Sequence, residues 1–111
     1  RDWIYVEDHC NAIKLLLEKG KSGEEYFIGG SNEMSNLGIC KLVLKIIDTI
    51  IPCKNKNKYM DKIKFVKDRK GHDFRYSLKT SKIFYDYGVF NNSSFEKNLK
   101  LTINHFLSHN K

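Results

Sequence analysis

The stretch from Ser35 to Pro52 constrains this chain more than any other. Ile39, Val43, Ile46, Ile47 and Ile50 recur three and four residues apart, which aligns their side chains along one face of an α-helix. Leu42 and Leu44 widen the stripe, so the helix is expected to be packed on more than one side. Ser35 offers an N-cap oxygen, and Pro52, the sole proline, stands just past the end. Lys41, Lys45 and Asp48 break the apolar run, which falls short of the roughly 18 to 20 residues a membrane helix needs.

Around that helix the pattern alternates. Asp2 to Val6 contains a short β-prone run, and Asp8 is a candidate N-cap for a helix carrying Ala12, Ile13, Leu16 and Leu17 on one stripe. Gly20 stands where a helix end favours positive φ. After a turn over Lys21 to Glu24, Glu25 to Ile28 reads as a second strand closed by Gly29 and Gly30. Cys53 to Asp61 is a Lys- and Asn-rich linker, and Ile63 to Val66 reads as a third strand. Thr80 to Tyr87 reads as a short helix ending at Gly88. A turn over Asn91 to Ser94 follows, with Ser93 or Ser94 capping a last helix whose buried face is Phe95, Leu99, Ile103, Phe106 and Leu107. The expectation is a small mixed α/β unit, one domain of 111 residues with no internal repeat. With 41% hydrophobic and 13% aromatic residues it can build a core. No secretory signal opens it, and a first residue other than Met suggests a processed chain or a piece of a longer one.

Cys10, Cys40 and Cys53 are odd in number and widely spaced, which argues against a disulfide framework or zinc site and for a reducing cytoplasm. The net charge of +7 invites a nucleic-acid reading. Its make-up weakens that reading, since seventeen of the twenty basic residues are Lys and ten residues are Asn. Most of the excess falls in Lys54 to Lys70, where no interleaved aromatic platform accompanies it. A solvated loop is the preferred reading there, and a basic nucleic-acid module the alternative.

The catalytic signatures are absent. Gly29 and Gly30 do not make a G-x-G-x-x-G fingerprint, and neither G-x-S-x-G nor H-E-x-x-H occurs. His105 and His109 stand four apart, but with no nearby carboxylate they read as surface residues rather than metal ligands. Arginine is more informative. In a chain that so favours Lys, an exposed cation of no special role should be Lys. Arg adds a planar fork that grips phosphate oxygens bidentately. Arg1, Arg69 and Arg75 are therefore the cations most expected to be held by geometry. Arg69 with Gly71 and His72 could form an anion clamp. Equally, Arg69 or Arg75 could form an internal salt bridge to Asp68 or Asp73, and the residues leave both readings open.

Four segments in register resemble the dTDP-glucose 4,6-dehydratases, of the extended short-chain dehydrogenase/reductase group. They are the R-D-W-I-Y-V-E-D-H run from Arg1 to His9, G-E-E-Y-F-I-G-G from Gly23 to Gly30, Asn32-Glu33 with Asn36, and D-R-K-G-H-D from Asp68 to Asp73, continued by Arg75-Tyr76. The resemblance spans essentially the whole chain. It implies the C-terminal substrate-binding lobe of such an enzyme, with the NAD-binding Rossmann part missing. It further implies that Arg1, Asn36, Asp68, Arg69, Lys70, Gly71 and His72 bind a dTDP-sugar. Asn36 would lie in the first turn of its helix, where amides and dipole favour an anion. Lys70 replaces the family's proline, so the loop is expected to be less rigid. Family catalysis uses a Tyr-x-x-x-Lys pair and an adjacent Asp–Glu acid/base pair, beside a glycine-rich fold that binds NAD. None of these occurs here, so the chain alone is expected to be inactive. The parent family is homodimeric, and neither nucleic acid nor membrane is an expected partner.

Overall fold

Ser35 sets the position of the central helix. In the computed structural model, which describes residues 1–53, 59–78, 81–88 and 94–109, its hydroxyl accepts the Gly38 N–H at 3.0 Å. The helix, α2, then runs Asn36–Ile50. Ile39 and Ile46 are buried. As its widened stripe requires, α2 packs on two sides, against a 3-10 turn at Tyr59–Lys62 and against the last helix, α4, Phe95–His109.

The first helix, α1, spans Val6–Lys19. It begins earlier than expected: Tyr5, not Asp8, holds the N-cap position and makes no side-chain cap bond. Asp8 instead sits in the first turn with Glu7, where carboxylates oppose the positive end of the helix dipole. Its Oδ2 also accepts from Asn98 Nδ2 at 3.3 Å. Of the expected stripe, Ala12 is buried and Leu16 half-buried, but Ile13 and Leu17 are exposed, Leu17 by 83%. Gly20 has φ −62°, so left-handed backbone is not its reason. Space is: a Cβ there would come within 2.3 Å of the Leu16 carbonyl that its own N–H bonds.

The three expected strands form no sheet among the described residues. Pairing reduces to one antiparallel bridge between Asp2 and Glu33. Glu25 to Ile28 and Ile63 to Val66 run without a ladder. Strand amides need a neighbouring strand roughly 4.8 Å away, and β-propensity measures fit to a half-buried pleated surface, which neither segment meets here. Phe65 and Val66 are accordingly 82% and 86% exposed. The described unit is predominantly helical rather than mixed α/β, and open. Its radius of gyration is 17.4 Å, against about 13 Å for a compact domain of this length.

Polar contacts fasten the N-terminal segment to the loop before α2. The Arg1 backbone nitrogen and the Met34 N–H each donate to the other residue's carbonyl at 3.0 Å. Trp3 Nε1 reaches the Met34 carbonyl at 3.1 Å, and Asp2 Oδ1 accepts the Asn32 N–H at 2.9 Å. The segment passes so close that a Cβ on Gly30 would lie 1.9 Å from the Trp3 carbonyl.

The third helix, α3, Ser81–Tyr87, is held by buried Ile83 and by polar ties. Tyr87 Oη donates to the Lys19 carbonyl at 2.8 Å and lies 3.1 Å from Tyr26 Oη. The hydrogen bond to Tyr26, helped by desolvation, pushes the Tyr87 hydroxyl up to about 12. Lys82 pairs with Glu24 and sits 4.8 Å over the Tyr26 ring. Thr80 and Asn91 to Ser93, part of the expected elements, lie outside the described residues. Ser94 directly precedes α4, its carbonyl accepting the Asn98 N–H at 3.1 Å. On α4 Ile103 is buried, Phe95, Leu99 and Leu107 are half-buried, and Phe106 is exposed. Buried Asn98 takes a place on the inner face that an apolar pattern does not reveal.

Candidate functional site

Arg1 extends from the fastened N-terminal segment toward the loop of residues 68–76. Its Nη2 donates to the Asp73 carbonyl at 2.8 Å and lies 2.7 Å from His72 Nε2. Its Nη1 reaches the Phe74 carbonyl at 3.4 Å, and the guanidinium stacks 4.8 Å from the Tyr76 ring centroid. From the loop's own side, Arg69 Nη2 stands 3.1 Å from His72 Nε2 and 3.3 Å from Nδ1. Two guanidiniums 68 residues apart in sequence thus converge on one imidazole.

The loop owes its shape to a turn over Lys70 and Gly71, with Gly71 at φ +69°. A positive φ fits the third position of a type II turn, where glycine is favoured, and leaves Lys70 in the slot that suits proline. The Arg69 N–H is accepted by Asp68 Oδ1 at 2.8 Å. Tyr76 Oη donates to the Asp73 carboxylate, which raises the phenol above its ordinary range.

Arg75 forms the internal ion pair that composition left open, but with a different partner. Its Nη2 donates to Glu33 Oε2 at 2.8 Å and its Nε to Oε1. That hydrogen-bonded pairing holds the Glu33 carboxyl below the usual carboxylate range. Among the described residues, neither Arg1 nor Arg69 makes an ion pair. Glu33 was legible only as part of the Asn32-Glu33 segment, since nothing local announces a partner 42 residues away.

These groups surround a hollow of about 610 Å³. Arg1, Asn36, Asp68, Arg69 and His72 line it, with Glu33, Ser35, Asp73 and Arg75 among the other walls. Lys70 and Gly71 belong to the same loop but not to the lining. Asn36, the first residue of α2, places the positive end of the helix dipole at the rim. The volume falls in the range of small-molecule sites. Two cations without carboxylate partners, beside a helix start, suit an anion.

Of the basic stretch Lys54 to Lys70, Lys54 to Lys58 lie outside the described residues. Its described basic residues are exposed, with Lys62 5.5 Å over the Tyr59 ring. His105 and His109 lie on the exposed face of α4, ring centroids 4.2 Å apart. Among the described residues no helix is long and apolar enough to cross a membrane.

Comparison with known proteins assigns the class. The chain belongs to the GDP-mannose 4,6 dehydratase family, whose model matches residues 1–102. Within it, the chain is similar to proteins named for dTDP-glucose. It is 45% identical over 109 residues to dTDP-glucose 4,6-dehydratase of Haemophilus influenzae, covering 96% of this chain and 32% of that protein. It is 40% identical over 111 residues to dTDP-glucose 4,6-dehydratase 1 of Escherichia coli K12, covering 100% of this chain and 30% of that one. A probable dTDP-glucose 4,6-dehydratase of Sinorhizobium fredii is 36% identical over 107 residues, covering 96% and 30%. The chain spans about a third of the length of these curated relatives.

Proposed function

We propose that this chain is the substrate-binding lobe of a dTDP-glucose 4,6-dehydratase, a lyase converting dTDP-glucose to dTDP-4-dehydro-6-deoxyglucose. One observation carries this reading: Arg1, Arg69 and Asn36 reach a single hollow from three distant parts of the chain. The two guanidiniums grip the diphosphate, and the start of α2 adds its dipole. Asp68 and His72 line the same wall. Lys70 and Gly71 contribute by shaping the turn that presents Arg69. NAD belongs to a Rossmann part of the parent enzyme that this chain does not span, since its sequence carries no glycine-rich fingerprint. It carries no Tyr-x-x-x-Lys pair either, so the chain alone binds substrate without turning it over. The whole chain forms one domain of the parent, which is a cytoplasmic homodimer. Its free thiols at Cys10, Cys40 and Cys53 suit that reducing compartment.

Titration calorimetry with dTDP-glucose tests the reading. Arg69→Lys, which keeps the charge but loses the fork, is expected to weaken binding by about tenfold. An unchanged affinity would remove Arg69 from the clamp. If the chain instead bound oligonucleotides with an affinity falling steeply with salt, and ignored dTDP-glucose, the basic-module reading would replace this one.

A further inference from the structure

Among the described residues, His72 is the side chain that the Arg1 and Arg69 guanidiniums both contact, and arginine only donates. At 2.7 Å from Arg1 Nη2, which can only donate, Nε2 accepts and carries no proton, while Arg69 Nη2 lies against both ring nitrogens, 3.1 Å from Nε2 and 3.3 Å from Nδ1. The remaining charged groups around the ring are committed elsewhere. On its own loop, Asp68 accepts the Arg69 N–H and Asp73 accepts from Tyr76. Across the hollow, Glu33 and Arg75 are bound to each other. Among the described residues no carboxylate lies within hydrogen-bond distance of the imidazole. Its charged contacts are the two cations, and the short one is Arg1 donating to Nε2.

We propose that His72 holds the place of a phosphate oxygen in the free clamp and takes up a proton when the diphosphate arrives. The inference rests on the substrate reading above. Without a ligand, Nε2 accepts from Arg1 while Arg69 lies against the same ring. An incoming diphosphate supplies stronger acceptors to Arg1 and Arg69, so Nε2 is released. Nε2 then binds a proton from solvent, and the resulting imidazolium becomes a third cationic donor to the anion. By linkage, a site that takes up a proton on binding binds more tightly as pH falls. Histidine is the side chain whose charge changes in the range of pH 5 to 8. His72 is thus a positioning residue in the free protein and a ligand contact in the complex.

The test is calorimetry of the 111-residue chain with dTDP-glucose, whose diphosphate diester keeps the same charge across the range used. From pH 8.5 to 5.5 the affinity is expected to rise by about tenfold or more. At pH 7.5 the measured enthalpy should shift between buffers of different ionisation enthalpy, reporting proton uptake. His72→Gln, which keeps an acceptor but cannot be charged, should flatten the pH profile. At pH 8.5 it should bind more tightly than His72→Leu, which has no acceptor. Binding of the wild-type chain that is the same at every pH, with no buffer dependence, overturns the proton uptake and leaves the diphosphate site standing. A pH profile unchanged in His72→Gln moves the proton to another group and overturns the assignment. No binding at any pH sinks both readings together. Should either variant lose its circular dichroism signal, the buffer dependence of the wild-type chain decides alone.

Discussion

Helix α2 and the loop of residues 68–76 meet at the same hollow but are held in opposite ways. The helix is held from within, by Ile39 and Ile46 against neighbouring elements and by a cap three residues away. The loop is almost wholly exposed and is held from outside, by Arg1 on its carbonyls and by the Arg75–Glu33 pair. Burial makes the helix insensitive to salt and pH, whereas the loop's order depends on charges that solvent can reach.

The sharpest way to break this contrast is to hollow out the helix side. Ile46→Ala should cost about 2–5 kcal/mol in chemical denaturation, because the cavity adds to the lost transfer energy. A loss no larger than that of a surface substitution would mean α2 is not the stabilising element. Removing the cap is a smaller intervention. Ser35→Ala should cost about 1 kcal/mol, read in the same way, while leaving the circular dichroism signal largely helical. The smallest effect on global stability is expected at the loop, and it should follow pH. Arg75 holds the folded-state Glu33 carboxyl below its ordinary value. Its contribution is therefore present above the unfolded-state pKa and fades as pH falls through the lower folded-state value. Acidification, or Glu33→Gln at neutral pH, should raise proteolytic cleavage at Arg69 and Lys70 while α2 stays helical. Equal loosening of loop and helix would erase the distinction.

The same contrast explains what could be read from the sequence. The cap at Ser35, the extent of α2 and the stop before Pro52 are written within a few residues of each other, and the structure has them where the pattern puts them. The expected strands do not form because a ladder is a property of two segments, and β-branched and aromatic residues at Glu25 to Ile28 and Ile63 to Val66 report only one. Helix α1 starts before the residue the sequence suggests because Asp8 suits a cap and a first turn about equally well. Arginine scarcity singled out Arg1, Arg69 and Arg75 but could not sort them. Glu33, 42 residues from Arg75, decides which of them is consumed in an ion pair.

The wide sequence separation of the hollow's walls has a kinetic consequence. Residues 1, 33–36 and 68–75 can meet only after two long loops close, an entropic toll that local helices escape. Helical turns nucleate within microseconds, so α2 can exist before there is a cavity beside it. Assembly of the basin is therefore expected late in folding, and its dispersal early in unfolding. A guest molecule bridging its rims would act chiefly by slowing that first step of escape.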